Sequence, residues 1–298
     1  MRRGLILLAA SLSVLGLICV ALFQLGPGQR LVLEHFARGT PKTTIDAHRA
    51  LIGPAIDVAP PPDVPQPAAG HPAVILFHGC AKQDRALMAQ WIAVAHEESY
   101  LAATVDSFSP RGIDHRTAER EVCVGGRLIA QERAGDVLAA AQILAQDDRI
   151  DPKRIVLQGW SHGAWSIMDL MTMDLERRRP SSIGPGEIDP PDIAGLVLFY
   201  PYCGVGAWSR LDDWAIRPKT LAFVSGADRL VPKKACPPIF ERLAKRGADV
   251  DFVVYENARH QFDDATLPPD EIEKYDAETH ADAIARYRSF LREIRDRG

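Results

Sequence analysis

Residues 154–163 read RIVLQGWSHG, and how this stretch is read decides the fold. Its first half is an apolar, β-branched run of strand type. It stops on the pentapeptide GWSHG, and SHGAWSIMDLMTMDLERR then continues with helical spacing. A Gly-x-Ser-x-Gly pattern between a strand and a helix has a mechanical meaning. Gly159 and Gly163 permit a tight turn that lifts the Ser161 hydroxyl above the sheet edge. The helix N-terminus beneath it favours a developing anion.

The same alternation continues on both sides. Upstream, AVILFH (73–78) and LAATVDSF (101–108) are strands, each followed by a helical pattern: ALMAQWIAVAHEESY (86–100) and RLIAQERAGDVLAAAQILAQ (127–146). Downstream, IAGLVLFY, TLAFVSG and VDFVVYENA read as strands. KACPPIFERLAKRG and AETHADAIARYRSFLREIRDR read as helices. Strands separated by helix-length segments make βαβ units. The expectation is an α/β fold with a mostly parallel sheet, helices on both faces through right-handed crossovers.

At 298 residues and 47% hydrophobic the chain can bury a large core, and its net charge of −4 offers no basic field for nucleic acid. The N-terminus differs from the rest. MRR precedes a stretch with no charge from Gly4 to Gly26, long enough to span a hydrocarbon core. No A-x-A-like cleavage site closes it. We expect an uncleaved anchor over residues 1–26, contacting the membrane through 4–26. A cleaved signal with secretion is the alternative, and lipidation at Cys19 ranks last. Arg2 and Arg3 would stay in the cytoplasm, with the large domain extracytoplasmic (periplasmic in a bacterium). Residues 27–71 are a proline-rich lead-in with possible edge strands, and 72–298 form the main domain. Beyond Cys19, Cys80, Cys123, Cys203 and Cys236 are an even set in an exported domain, and disulfides are expected. Four cysteines allow three connectivities.

A serine nucleophile needs a base and a group that orients it. In chain order the candidates after Ser161 are Asp228, following TLAFVSG, and His260, following VDFVVYENA. Both lie at carboxyl ends of strands, the edge where open α/β sheets bind ligands. Asp263 and Asp264 follow His260 and fit that order badly. The oxyanion donors would be the N–H of His162 and that of Cys80 in FHGC, with Ala81 the runner-up. His78 holds this loop by hydrogen bonding, and His280 sits solvated on the closing helix. Arg111 and Trp160 are possible pocket residues, with structural pairing of Arg111 the competing view. Scattered histidines, no H-E-x-x-H and no C-x-x-C give no support for a metal, and no Gly-rich phosphate loop is present, so no cofactor is expected.

FHGC, VDSFSPRGI with the following EVC, RIVLQGWSHG, SGADRLVP followed by ACPP, and ARHQF together resemble the dienelactone hydrolase family of α/β-hydrolases, over roughly residues 72–295. The DSFSPRG segment with its cysteine resembles an exported branch of that family. The resemblance implies an α/β-hydrolase fold and pairing of Cys80 with Cys123 and of Cys203 with Cys236. The name-giving enzymes use a cysteine nucleophile where this chain has Ser161. The expected substrate is therefore a small carboxylic ester in general. A peptidase or acyltransferase on the same three residues is the alternative activity, and a non-catalytic binding protein the alternative class. The sequence leaves oligomeric state open.

Overall fold

The computed structural model describes residues 27–81, 83–267 and 274–297. The chain divides at Thr40/Pro41 into two units. The first contributes helix α1 (Pro27–Gly39). The second contains α2 (Ile45–Ile52), β1 (Ile56–Ala59), β2 (His71–Phe77), α3 (Arg85–Glu97), β3 (Leu101–Val105), α4 (Ala130–Leu144), β4 (Ile150–Trp160), α5 (His162–Met171), β5 (Gly195–Phe199), β6 (Lys219–Ser225), α6 (Cys236–Lys245), β7 (Val250–Tyr255) and α7 (Ala277–Asp296).

The strands form a seven-stranded sheet in the order β1-β3-β2-β4-β5-β6-β7. Every pairing is parallel except that of β1 with β3. All seven residues of β2 are buried, as a strand covered on both faces requires. Its side chains alternate with the pleat. Ala73, Ile75 and Phe77 join a core with Val137 of α4 and Ile167 of α5. Val74 and Leu76 join the opposite core with Trp91 of α3 and Tyr287 of α7. Helix starts are set by side-chain caps: Asp84 accepts from the N–H groups of Ala86 and Leu87, and Asp276 from that of Thr279.

Three expectations change. The predicted membrane-spanning helix is corrected: among the described residues no helix is long and apolar enough to cross a membrane. α1 has only 13 residues and carries Arg30, Glu34 and Arg38, and residues 4–26, where the span was expected, lie outside the described residues. The proline-rich lead-in supplies the antiparallel edge strand β1, one of the edge strands expected there, and also the helix α2, which its sequence does not suggest. The helix after Ser161 is shorter than its pattern. It ends at Met171, whose carbonyl is taken by the N–H groups of Ala215 and Ile216 from a distant loop, so tertiary bonding ends the helix.

Candidate active site

Ser161 lies between β4 and α5 at φ 50°, ψ −110°, a strained conformation for a residue with a β-carbon. Its N–H donates to Phe199 O at the end of β5, and its carbonyl accepts from Trp165 N. The flanking glycines are needed for space. A β-carbon on Gly163 would stand 2.3 Å from the Phe77 carbonyl oxygen, and one on Gly159 2.6 Å from Ala164 N. The elbow is therefore pressed onto the end of β2, and the left-handed φ falls on Ser161 itself.

Asp228 and His260 meet at the same sheet edge. The His260 Nδ1–Asp228 Oδ2 distance is 2.7 Å, and the Asp228 side chain is fully buried. The other carboxylate oxygen accepts from the N–H groups of Leu230 and Val231. Asp228 Oδ2 thus faces the imidazole, with Nδ1–H donating, which leaves Nε2 as an acceptor. Tyr200 packs its ring on His260, with centroids 4.5 Å apart. Tyr200 and Gln261 also have positive φ, 36° and 55°, so backbone strain gathers around this edge.

The loop after β2 lies beside the serine: a β-carbon on Gly79 would be 3.9 Å from Ser161 Cβ. Cys80, in this loop, is disulfide-bonded to Cys123, and Cys203 to Cys236, the pairing the resemblance implied. His78 Nε2 accepts from Ser107 N at 3.3 Å, so Nδ1 carries the proton and donates to Gly79 O at 2.8 Å. Burial, followed by the charge of Arg133, holds its pKa well below the usual histidine value. His162 is buried and its ring Nδ1 lies 3.1 Å from an Arg133 nitrogen. Burial and then the Arg133 charge lower its pKa as well.

The proposed pocket residues are placed differently. Arg111 grips the buried Asp136 with both terminal nitrogens, at 3.1 and 2.8 Å, and Ser107 O at 2.8 Å. The sequence reading missed that its carboxylate partner lies on the face of a helix 25 residues away. Trp160 is 2% exposed, stacks on Phe199 and donates its indole N–H to Asp263 at 2.9 Å. Both side chains have structural partners, Asp136 for Arg111 and Asp263 for Trp160. His280, expected to be solvated, is buried against Trp91, and burial lowers its pKa.

Two residues that the sequence left without a role organise the edge. Asp263 is fully buried and accepts three hydrogen bonds, from Trp91 Nε1, Trp160 Nε1 and Tyr200 OH at 2.8–2.9 Å. Burial outweighs these donors and raises its pKa to about 6. Arg133 lies fully buried beneath the loop after β2. The one signal for it in sequence was a lone cation in the small-residue run of α4. A cavity of about 870 Å³ lies farther toward β1, lined by Ile56, Gln83, Arg85, Met88 and Asp106 among others. Ser161, Asp228 and His260 are not among its walls.

Residues 187–295 match the model of the dienelactone hydrolase family, which bears out the resemblance over the segment carrying Asp228 and His260. The comparison with curated proteins finds no match. Solved structures with a similar fold include Thermogutta terrifontis esterase 2 phosphorylated by paraoxon, at TM-score 0.61 and 19% identity, covering 80% of this chain and 88% of that one. The same esterase with propionate bound has TM-score 0.57, 19% identity and coverage of 80% and 89%. A third is the putative dienelactone hydrolase from Klebsiella pneumoniae, with TM-score 0.59, 15% identity and coverage of 79% and 91%.

Proposed function

We propose that this protein is a serine hydrolase of carboxylic esters. The observation that carries the reading is the buried Asp228–His260 pair, 2.7 Å apart, at the sheet edge that also bears the strained Ser161. In the reaction, Ser161 Oγ forms a bond to the ester carbonyl carbon, and its proton passes to His260 Nε2. The carbonyl π pair becomes an oxyanion received by the N–H groups of Cys80 and His162. Collapse of this intermediate breaks the bond to the alcohol oxygen, which leaves with the proton from His260. Water then repeats the sequence on the acyl-enzyme and releases the acid. Asp228 keeps the imidazole in the required tautomer and stabilises its cation.

The family match and the fold shared with an esterase that paraoxon phosphorylates support this reading. The two disulfides support an oxidising compartment for the domain. A panel of p-nitrophenyl esters of increasing acyl length tests the activity. The expected result is turnover by the wild type and a loss of at least ~10⁴-fold in Ser161→Ala. Cleavage of peptides without ester turnover, or equal rates for wild type and Ser161→Ala, would contradict it.

A further inference from the structure

Arg133 is wholly buried, with its guanidinium between the two walls of the proposed oxyanion hole. Nη1 donates to His78 O at 2.8 Å, approaches Gly79 O at 3.4 Å, and donates to His162 Nδ1 at 3.1 Å. Nε donates to Ser107 Oγ at 3.0 Å. One cation thus bridges the loop that presents Cys80 and the first residue of α5. No carboxylate among the described residues forms an ion pair with it. Its neighbour Asp136 is occupied by Arg111 and by His48 Nε2, at 2.7 Å.

Peptide geometry gives these contacts a direction. In a trans peptide the C=O and the following N–H point opposite ways, and among the described residues there are no cis bonds. Holding the Gly79 carbonyl toward Arg133 and His78 therefore turns the Cys80 N–H away from them. Gly79 itself borders Ser161, so the outward-turned amide is on the loop facing the nucleophile. The charges around the guanidinium are balanced: Arg111 and Arg133 face the carboxylates of Asp136 and Asp106. Arg133 therefore acts on the loop through its hydrogen bonds. Burial lowers the Arg133 pKa only to about 10, so it remains charged at neutral pH.

We infer that Arg133 is the positioning residue of the oxyanion hole: it fixes the Gly79–Cys80 peptide and the start of α5. The inference rests on the ester-hydrolase reading. Its test compares full-length wild type, Arg133→Met and Arg133→Lys. The readouts are kcat and KM on a p-nitrophenyl ester and the affinity of a trifluoromethyl ketone, whose Ser161 adduct carries an oxyanion. For folded Arg133→Met, kcat is expected to fall about 10²-fold, the size of a lost oxyanion donor, with KM nearly unchanged. The ketone should weaken by the same factor, and Arg133→Lys should regain roughly tenfold. A folded Arg133→Met with wild-type kcat, a kcat loss without loss of ketone affinity, or no regain in Arg133→Lys overturns the inference. Should Arg133→Met fail to fold, Ser107→Ala takes its place, since it removes a guanidinium partner and leaves the backbone intact. A parallel drop of several-fold in kcat and ketone affinity then supports the inference, and wild-type values overturn it. Fluorophosphonate labelling separates the two readings. A wild type labelled at Ser161 but without ester turnover refutes the ester substrate, and labelling rate then replaces kcat in the comparison.

Discussion

At the scale of single residues, the backbone around Ser161 divides its demands in a way the five letters GWSHG do not reveal. The glycines read as turn-formers, yet the positive φ belongs to Ser161, and the glycines serve close approach of backbone to backbone. Replacing Gly163 by alanine drives a β-carbon against the Phe77 and His78 carbonyls, neither of which is the end of a flexible side chain. We expect Gly163→Ala to lose roughly 1–3 kcal/mol of stability in urea unfolding, and an unchanged midpoint would contradict this packing. A second residue-scale prediction concerns Asp169 on α5. Burial raises its pKa from 3.8 to about 8, although the N–H groups of Trp208 and Ser209 and the side chain of Gln131 donate to it. The native state therefore keeps this proton between about pH 4 and 8 while the unfolded chain releases it. The contribution of Asp169 to stability falls as pH rises through that window. Asp169→Asn removes the term, so its stability relative to wild type should improve with pH by at most ~1.4 kcal/mol per unit. A pH-independent difference between the two proteins would refute the assignment.

Among elements, Asp263 does the joining. Its carboxylate ties the loop that bears His260 to the end of β4 through Trp160, to the end of β5 through Tyr200, and to α3 through Trp91. Ser161 follows Trp160 directly, so the proposed nucleophile and the proposed base are referenced to one buried group. Asp263→Ala strands three buried donors and should cost at least ~3 kcal/mol, with a drop in kcat. Asp263→Asn keeps an acceptor oxygen and should lose less. Equal stability of Asp263→Ala and wild type in denaturant titration would contradict the role. None of these partners is near Asp263 in sequence except through the fold, which is why chain order discounted it as a rival acid without suggesting what it does. The placement of Ser161, Asp228 and His260 at one sheet edge, by contrast, was legible because each follows a strand whose apolar run is unmistakable. The strand β1 was obscured by the prolines around it, and Arg111 looked available because its partner Asp136 sits on another element.

For the molecule as a whole, parallel β2, β4, β5, β6 and β7 bring their carboxyl ends to one edge, and the two disulfides secure loops at that edge. Cys80–Cys123 closes a separation of 43 residues and Cys203–Cys236 one of 33. Loop entropy assigns each roughly 4 kcal/mol of stability. Cys123→Ser with Cys80→Ser should lower both the unfolding midpoint and kcat if the Cys80 amide receives the oxyanion as proposed. The Cys203/Cys236 double serine variant should lower chiefly the midpoint. Equal kcat in the Cys80/Cys123 variant and wild type would detach the disulfide from the site. The most direct measurement of the central claim is fluorophosphonate labelling of the folded protein, followed by mass analysis of its peptides. The account predicts one adduct, on Ser161, absent from Ser161→Ala and much slower to form in His260→Ala. An adduct on another residue, or equal labelling of Ser161→Ala, would contradict it.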